Sequence, residues 1–240
     1  ITFYGQRDES VHRWYRLTAA YAPELVRRCL AEFEDRGGVD TVLDPFCGTG
    51  TTVLESKKQG YDAVGVEFNP VYHEVAATKT TWELDTDLLS ELSARLFEEI
   101  QEHKSDWQGT PVDEFTEEFG VQPPQIYNRD RWWHDYVLRD LLAARESLSR
   151  LDTEPGCRQF FRLAILSILV EVSNATHNHV SLTYMDDPPE DVDTLGTLKD
   201  QIDEMIEDVE DVQRIENPGR AEVRHGDSTE IQSQIETGEV

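Results

Sequence analysis

Asp44-Pro45-Phe46-Cys47-Gly48-Thr49-Gly50-Thr51-Thr52 is the stretch on which the reading of this 240-residue chain turns. The apolar run Val39 to Leu43 before it reads as a short buried strand. After it, Thr51 to Lys58 reads as a helix that Gly60 ends. Tyr61 to Val66 is a second strand, and Asn69-Pro70 opens the next helix. Upstream, a helix starts near Pro23, keeps Leu25, Val26, Cys29, Leu30 and Phe33 at helical spacing, and stops at Gly37-Gly38. A glycine turn between strand and helix, followed by a second strand, is the unit from which parallel sheets are built.

Glycines at such a turn let backbone approach a ligand, while the helix N-terminus offers free N–H groups. A phosphate loop requires Gly-Lys-Ser/Thr, and no lysine is present here. A dinucleotide turn requires a third glycine where Val53 stands. Asp44 is awkward beside a pyrophosphate. It suits a ligand carrying a cation and a carboxylate together, such as the methionine end of S-adenosylmethionine. The second strand ends in Glu67, whose carboxylate can accept both ribose hydroxyls. A third strand, Ala221 to Arg224, leads to Asp227, which can accept from an adenine amino group. Each acid alone could simply cap a helix. Three at successive strand tips beside one glycine turn make a coherent cofactor site.

Between the second and third strands the pattern changes. Residues 85–103 form an acidic amphipathic helix, and 104–130 read as a long loop. Trp132 to Arg150 is helical. Arg158 to Ser173 is apolar almost all round and reads as a buried helix. Residues 176–190 form a loop, and 191–213 a last acidic helix. The organisation expected is a doubly wound α/β sheet, residues 1–80 and 215–240, interrupted by a helical insertion, 81–214.

The chain carries 49 Asp+Glu against 22 Lys+Arg, a formal charge of −27. That charge repels phosphate and by itself argues against nucleic acid. The acids are spread evenly and lysine is scarce, the composition of proteins adapted to molar salt, where self-repulsion is screened. A solvated acidic surface in ordinary salt is the alternative. Cys29, Cys47 and Cys157 suggest neither a disulfide framework nor a zinc cluster. With no apolar span or signal segment in view, a cytoplasmic protein is the expectation.

These motifs resemble the DNA amino-methyltransferases, which modify the adenine-N6 or cytosine-N4 amino group. Residues 44–52 look like their motif I and Gly65-Val66-Glu67-Phe68-Asn69-Pro70 their motif II. His12 through Tyr21-Ala22-Pro23-Glu24-Leu25 is similar to motif X, which packs on the methionine part of the cofactor. Gly226-Asp227-Ser228 is similar to motif III. The resemblance covers residues 12–80 and 221–228. It implies S-adenosylmethionine as cofactor, DNA as partner and a restriction-modification setting. The implied cofactor-binding residues are Tyr21, Pro23, Asp44, Pro45, Phe46, Gly48, Thr49, Gly50, Thr51, Glu67, Phe68, Asn69, Asp227 and Ser228. The family's catalytic Pro-Pro-aromatic motif should follow motif III, and no such motif does. Asp187-Pro188-Pro189-Glu190 precedes motif III, follows no strand and ends in Glu where a base needs an aromatic to stack on, so it reads as a surface loop. The expectation is a cofactor-binding part whose catalytic part lies in a further segment or a second chain, and which is inactive alone. A non-catalytic cofactor-binding or specificity subunit and an RNA guanine-N2 methyltransferase are the alternatives.

Other candidates carry less. His177-Asn178-His179 lacks a third metal ligand, so no metal is expected. Trp132, Trp133 and Tyr136 read as packing before a base-stacking platform. Arg7, Arg13, Arg16, Arg27 and Arg28 either face phosphate or pair with acids. Cys47 reads as packing.

Overall fold

The computed structural model describes residues 9–17, 20–38, 40–177 and 181–230. The chain divides into two compact units, residues 1–84 with 207–240, and residues 85–206.

In the first unit, α1 (Pro23–Glu34) begins with proline at its first position and is followed by Gly37 and Gly38 at positive φ. β1 (Thr41–Asp44), α2 (Thr51–Lys58) and β2 (Asp62–Glu67) come next. Val39, expected at the start of the first strand, lies outside the described residues. Asn69 caps α3 (Pro70–Thr80), its side chain accepting from the backbone of Val71 at 2.9 Å and Tyr72 at 3.3 Å. The last strand, β5, is Ala221–His225. Among the described residues these strands form a parallel sheet in the order β1-β2-β5, with Asp44 opposite Gly65 and Glu67 opposite His225. The fold is Rossmann-like, of the α/β class. Ala63, Val64, Gly65 and Val66 of β2 are all buried, as expected of a central parallel strand covered on both faces. Gly65 has a packing reason: a Cβ there would stand 2.9 Å from the Cys47 sulfur.

The second unit is largely helical. Asp85 caps α4 (Thr86–Asp106), which buries Leu89, Leu92, Leu96 and Ile100 along one stripe. The stretch expected as a loop over 104–130 is partly ordered into a turn of 3-10 helix, Val112–Glu114, and α5 (Phe115–Phe119). Trp107, Phe115 and Phe119 gather there with ring centroids 4.8–5.8 Å apart, burying apolar surface that local turn signals do not report. The helix expected from Trp132 is broken. α6 (Arg129–Trp132) ends, Trp133 is extended, and α7 (Asp135–Arg150) starts anew. The Trp133 indole donates to the Leu169 carbonyl at 3.0 Å, a bond that holds the break. α8 (Pro155–Ile168) is shorter than expected and exposes Arg162, so its apolar surface does not run all round. The expected loop 176–190 contains an antiparallel pair, β3 (Ala175–His177) and β4 (Leu182–Tyr184). α9 (Thr194–Gln213) leads back toward β5. No helix among the described residues is long and apolar enough to cross a membrane.

Candidate functional site

The site grows from the ends of the parallel strands. Parallel strands deliver their carboxyl ends to one edge of the sheet, and in open α/β sheets that edge is where ligands sit. β1 ends on Asp44, β2 on Glu67, and Asp227 stands two residues beyond β5.

Between β1 and α2 the chain turns through Gly48 at φ +53° and Gly50 at φ +86°. At Gly50 the requirement is doubly strict. A Cβ would stand 2.9 Å from the Ala76 Cβ of α3 as well as in a left-handed conformation. Gly48 faces open space instead, its nearest neighbour being Leu17 at 3.9 Å from where a Cβ would stand. Here backbone lies open to a ligand. The turn is tied to the sheet by Cys47 N–H to Val66 O at 3.1 Å, and to itself by Gly50 N–H to Cys47 O at 2.8 Å.

Glu67 is the hub. One oxygen accepts from Gly48 N–H at 2.8 Å and the other from Asn69 N–H at 2.7 Å. An ionised carboxylate offers about four acceptor positions, so two remain for a ligand diol. Asp44 accepts from Phe46 N–H at 3.1 Å and from the Tyr21 hydroxyl at 3.2 Å, and Tyr21 also bonds Thr52. Burial, with Asp44 adding to it, pushes the Tyr21 phenol up to about 12. Asp227 accepts from the Thr229 backbone at 2.9 Å and its hydroxyl at 2.8 Å, which hold the carboxyl below its ordinary range. Burial, with Asp44 and Glu67 adding to it, pushes the Cys47 thiol up to about 12, and the buried side chain packs against Gly65.

Pro45, Phe46, Val66, Glu67, Phe68, Gly226, Asp227, Ser228 and Thr229 line one cleft of about 330 Å³. Phe46 and Phe68 are 77% and 72% exposed at its mouth, a pair of aromatic faces suited to a flat base. The His225 ring bonds Phe68 O at 3.0 Å and Gly226 N–H bonds Glu67 O at 3.0 Å, fixing the Phe68 wall.

The cleft thus gathers Pro45, Phe46, Glu67, Phe68, Asp227 and Ser228. Gly48 and Asn69 reach it through Glu67, and Tyr21 pairs with Asp44. Thr49, Gly50 and Thr51 are buried and shape the turn; Pro23 is buried at the start of α1. Thr229 and Thr52 were not among the residues expected. The Asp-x-Thr spacing of Asp227 and Thr229 is a side-chain turn signal that could have found the first.

Two members of the basic cluster, Arg13 and Arg27, pair with acids. Arg13 pairs with Asp208 at 2.6 Å, and Arg27 with Glu9 at 2.9 Å, Glu24 at 3.1 Å and Glu55 at 3.2 Å. Arg7 lies outside the described residues. Glu9, His12 and Glu55 bring three ligand-type atoms within 4.8 Å. Arg27 already supplies the cation there, and His12 bonds Glu55 at 3.0 Å. Burial pushes His12 below its usual range, and burial of Glu55 is outweighed by His12 and Arg27, which hold that carboxyl low. Of the two-histidine candidate, Asn178 and His179 lie outside the described residues. Asp187 and Glu190 are exposed, with Pro189 O accepting from His134 at 3.1 Å and Glu190 O from Tyr136 at 2.9 Å. Trp132 packs on Tyr184, ring centroids 5.0 Å apart.

The sequence profile of the DNA methylase family matches residues 4–78. The Type II methyltransferase M.BsoBI of Geobacillus stearothermophilus is 36% identical over 73 residues, 30% of this chain and 14% of that protein. M.XycI of Xanthomonas campestris pv. cyanopsidis is 41% identical over 59 residues, 25% of this chain and 19% of that protein. M.MvaI of Kocuria varians is 22% identical over 183 residues, 74% of this chain and 37% of that protein. The chain therefore spans well under half the length of each of these relatives. No solved structure matches significantly. The matched stretch contains the glycine turn, the α3 cap and five of the cleft residues, Pro45, Phe46, Val66, Glu67 and Phe68. Over residues 4–78, this chain is similar to the DNA methylase family.

Proposed function

We propose that this chain is the cofactor-binding part of a DNA methyltransferase that transfers a methyl group from S-adenosylmethionine to an adenine-N6 or cytosine-N4 amino nitrogen. The observation that carries the reading is Glu67, half-engaged by the turn it braces and with acceptor positions left toward the cleft. In this assignment Glu67 accepts the ribose hydroxyls and Phe46 and Phe68 hold the adenine. Asp227 accepts from the adenine amino group. Asp44, with Tyr21 beside it, faces the methionine ammonium. The sulfonium supplies an electrophilic methyl; what these residues contribute is its position, since in-line transfer depends on holding the reacting atoms in place. The amino group of a base flipped out of the duplex needs acceptors of its own. We assign those to a Pro-Pro-aromatic segment in a further part of the polypeptide or in a second chain.

The acidity repels phosphate, and Arg13 and Arg27 are engaged by carboxylates, so we assign the phosphate-binding surface to the same further part that carries the Pro-Pro-aromatic segment. The test is calorimetric titration with S-adenosylmethionine, followed by transfer of a radiolabelled methyl group to mixed-sequence DNA by the full-length protein. Binding with transfer to an amino nitrogen supports the reading. Absence of binding removes it.

A further inference from the structure

We infer that Asp208, on α9, is a positioning residue for the cofactor site, clamping residues 11–14 so that the segment they begin reaches the glycine turn. The inference rests on the proposal that this turn holds S-adenosylmethionine.

The Asp208 side chain is fully buried. One oxygen accepts from the Val11 backbone and the Trp14 indole, both at 2.8 Å, and from Arg13 Nε at 3.1 Å; the other accepts from Arg13 Nη2 at 2.6 Å. Four donors from three residues of a single short stretch converge on one carboxylate nearly two hundred residues away in sequence. The stretch needs holding. Val11 sits at φ +67°, a conformation a β-branched residue adopts only where its surroundings over-determine it. Other anchors grip it too: Lys58 Nζ donates to Ser10 O at 2.9 Å, and Lys79 Nζ to His12 O at 3.2 Å and Tyr15 O at 3.5 Å.

Downstream of this clamp, the chain touches the site at two points. Leu17 is the neighbour facing Gly48, and Tyr21 bonds Asp44 and Thr52. Leu17 thus faces the glycine that Glu67 holds, and Tyr21 the carboxylate at the tip of β1. The four hydrogen bonds of Asp208 all go to residues 11–14, so its effect passes through the clamped segment.

Asparagine at 208 keeps the shape but turns an NH₂ toward at least one of the donors, so the clamp cannot stay complete. If the clamped state then falls to about a tenth of the population, apparent affinity falls about tenfold. The experiment compares the full chain and Asp208→Asn in calorimetric titration with S-adenosylmethionine. In parallel, trypsin cleavage after Arg13 and Arg16 is followed with and without the cofactor. The expected result is about tenfold weaker binding and faster cleavage at those two bonds in Asp208→Asn. In the unsubstituted chain the cofactor should slow cleavage at both bonds. A contact that only stabilises the fold would lower the melting temperature without that cofactor-dependent protection. Should Asp208→Asn not fold, Arg13→Gln, whose side chain is partly exposed, is read by its affinity and by cleavage after Arg16 alone, since it removes the other trypsin site; collapse of both variants would make Asp208 a folding residue and overturn the inference. Binding by the unsubstituted chain, with equal affinity in a folded Asp208→Asn, overturns the role of Asp208 alone. Failure of the unsubstituted chain to bind removes the cofactor proposal, and this inference with it.

Discussion

Replacing Glu67 by Ala removes a carboxylate that braces the turn on one side and offers acceptors to a ligand on the other. Its oxygens take the N–H groups of Gly48 and Asn69 at 2.8 and 2.7 Å. In the Ala variant those groups turn to water, since the Asn69 bond is exposed and the Gly48 bond only partly buried. The cost to folding is therefore at the low end of the range for hydrogen bonds to a charge, about 1–2 kcal/mol. The cost to binding is larger. Two charge-assisted hydrogen bonds to the ribose are lost, together about 2–3 kcal/mol, or roughly 30- to 150-fold in dissociation constant. Calorimetry with S-adenosylmethionine reads the second quantity, and a melting curve the first, so the two are separable. Glu67→Gln is the companion variant. It keeps the size, but its NH₂ must face either a backbone N–H or the ligand, and intermediate loss is expected. Unchanged affinity in a folded Glu67→Ala would refute the assignment of the ribose.

Lys79 gives a pH prediction. Burial pushes its ammonium down to about 7, so above that value the folded chain sheds a proton that the unfolded chain keeps until about 10.5. Stability should rise with pH across that window, with the full penalty below it. Lys79→Met should flatten the rise and gain roughly 1–3 kcal/mol relative to the unsubstituted chain on moving from about pH 9 to about pH 6, read from urea midpoints; parallel profiles would exclude this. Salt is the second prediction: with a formal charge of −27, the melting temperature should climb between about 0.1 M and about 3 M KCl as self-repulsion is screened. A flat or falling trend would remove the salt-adaptation reading.

What the sequence made legible is what is encoded locally. The glycine turn, the Asn69-Pro70 cap and the apolar runs on either side lie within a few residues of the features they specify. Thr51–Lys58 and the strands ending at Asp44 and Glu67 follow from them. Elements set by distant contacts were not legible. The break at Trp133 depends on the Leu169 carbonyl, and the short β3–β4 pair has neither the length nor the alternation of an evident strand. The helical turns after Trp107 depend on an aromatic cluster spread over a dozen residues. The same divide runs through the site. The three carboxylates could be named from strand ends, but that Glu67 braces Gly48, or that Arg13 is spent on Asp208, is written in pairings far apart in the chain. One more acid on an acidic helix gives no local sign that it is buried and bonded four ways.

The central claim is that the cleft at the three strand tips holds S-adenosylmethionine with its ribose on Glu67. A crystal structure of the protein with this cofactor tests it most directly. The account predicts both ribose hydroxyls within hydrogen-bond distance of the Glu67 carboxylate, about 2.5–3.0 Å. It also predicts the adenine between Phe46 and Phe68, and the methionine end turned toward Asp44 and Tyr21. Cofactor bound elsewhere, or bound here with its ribose away from Glu67, would contradict it.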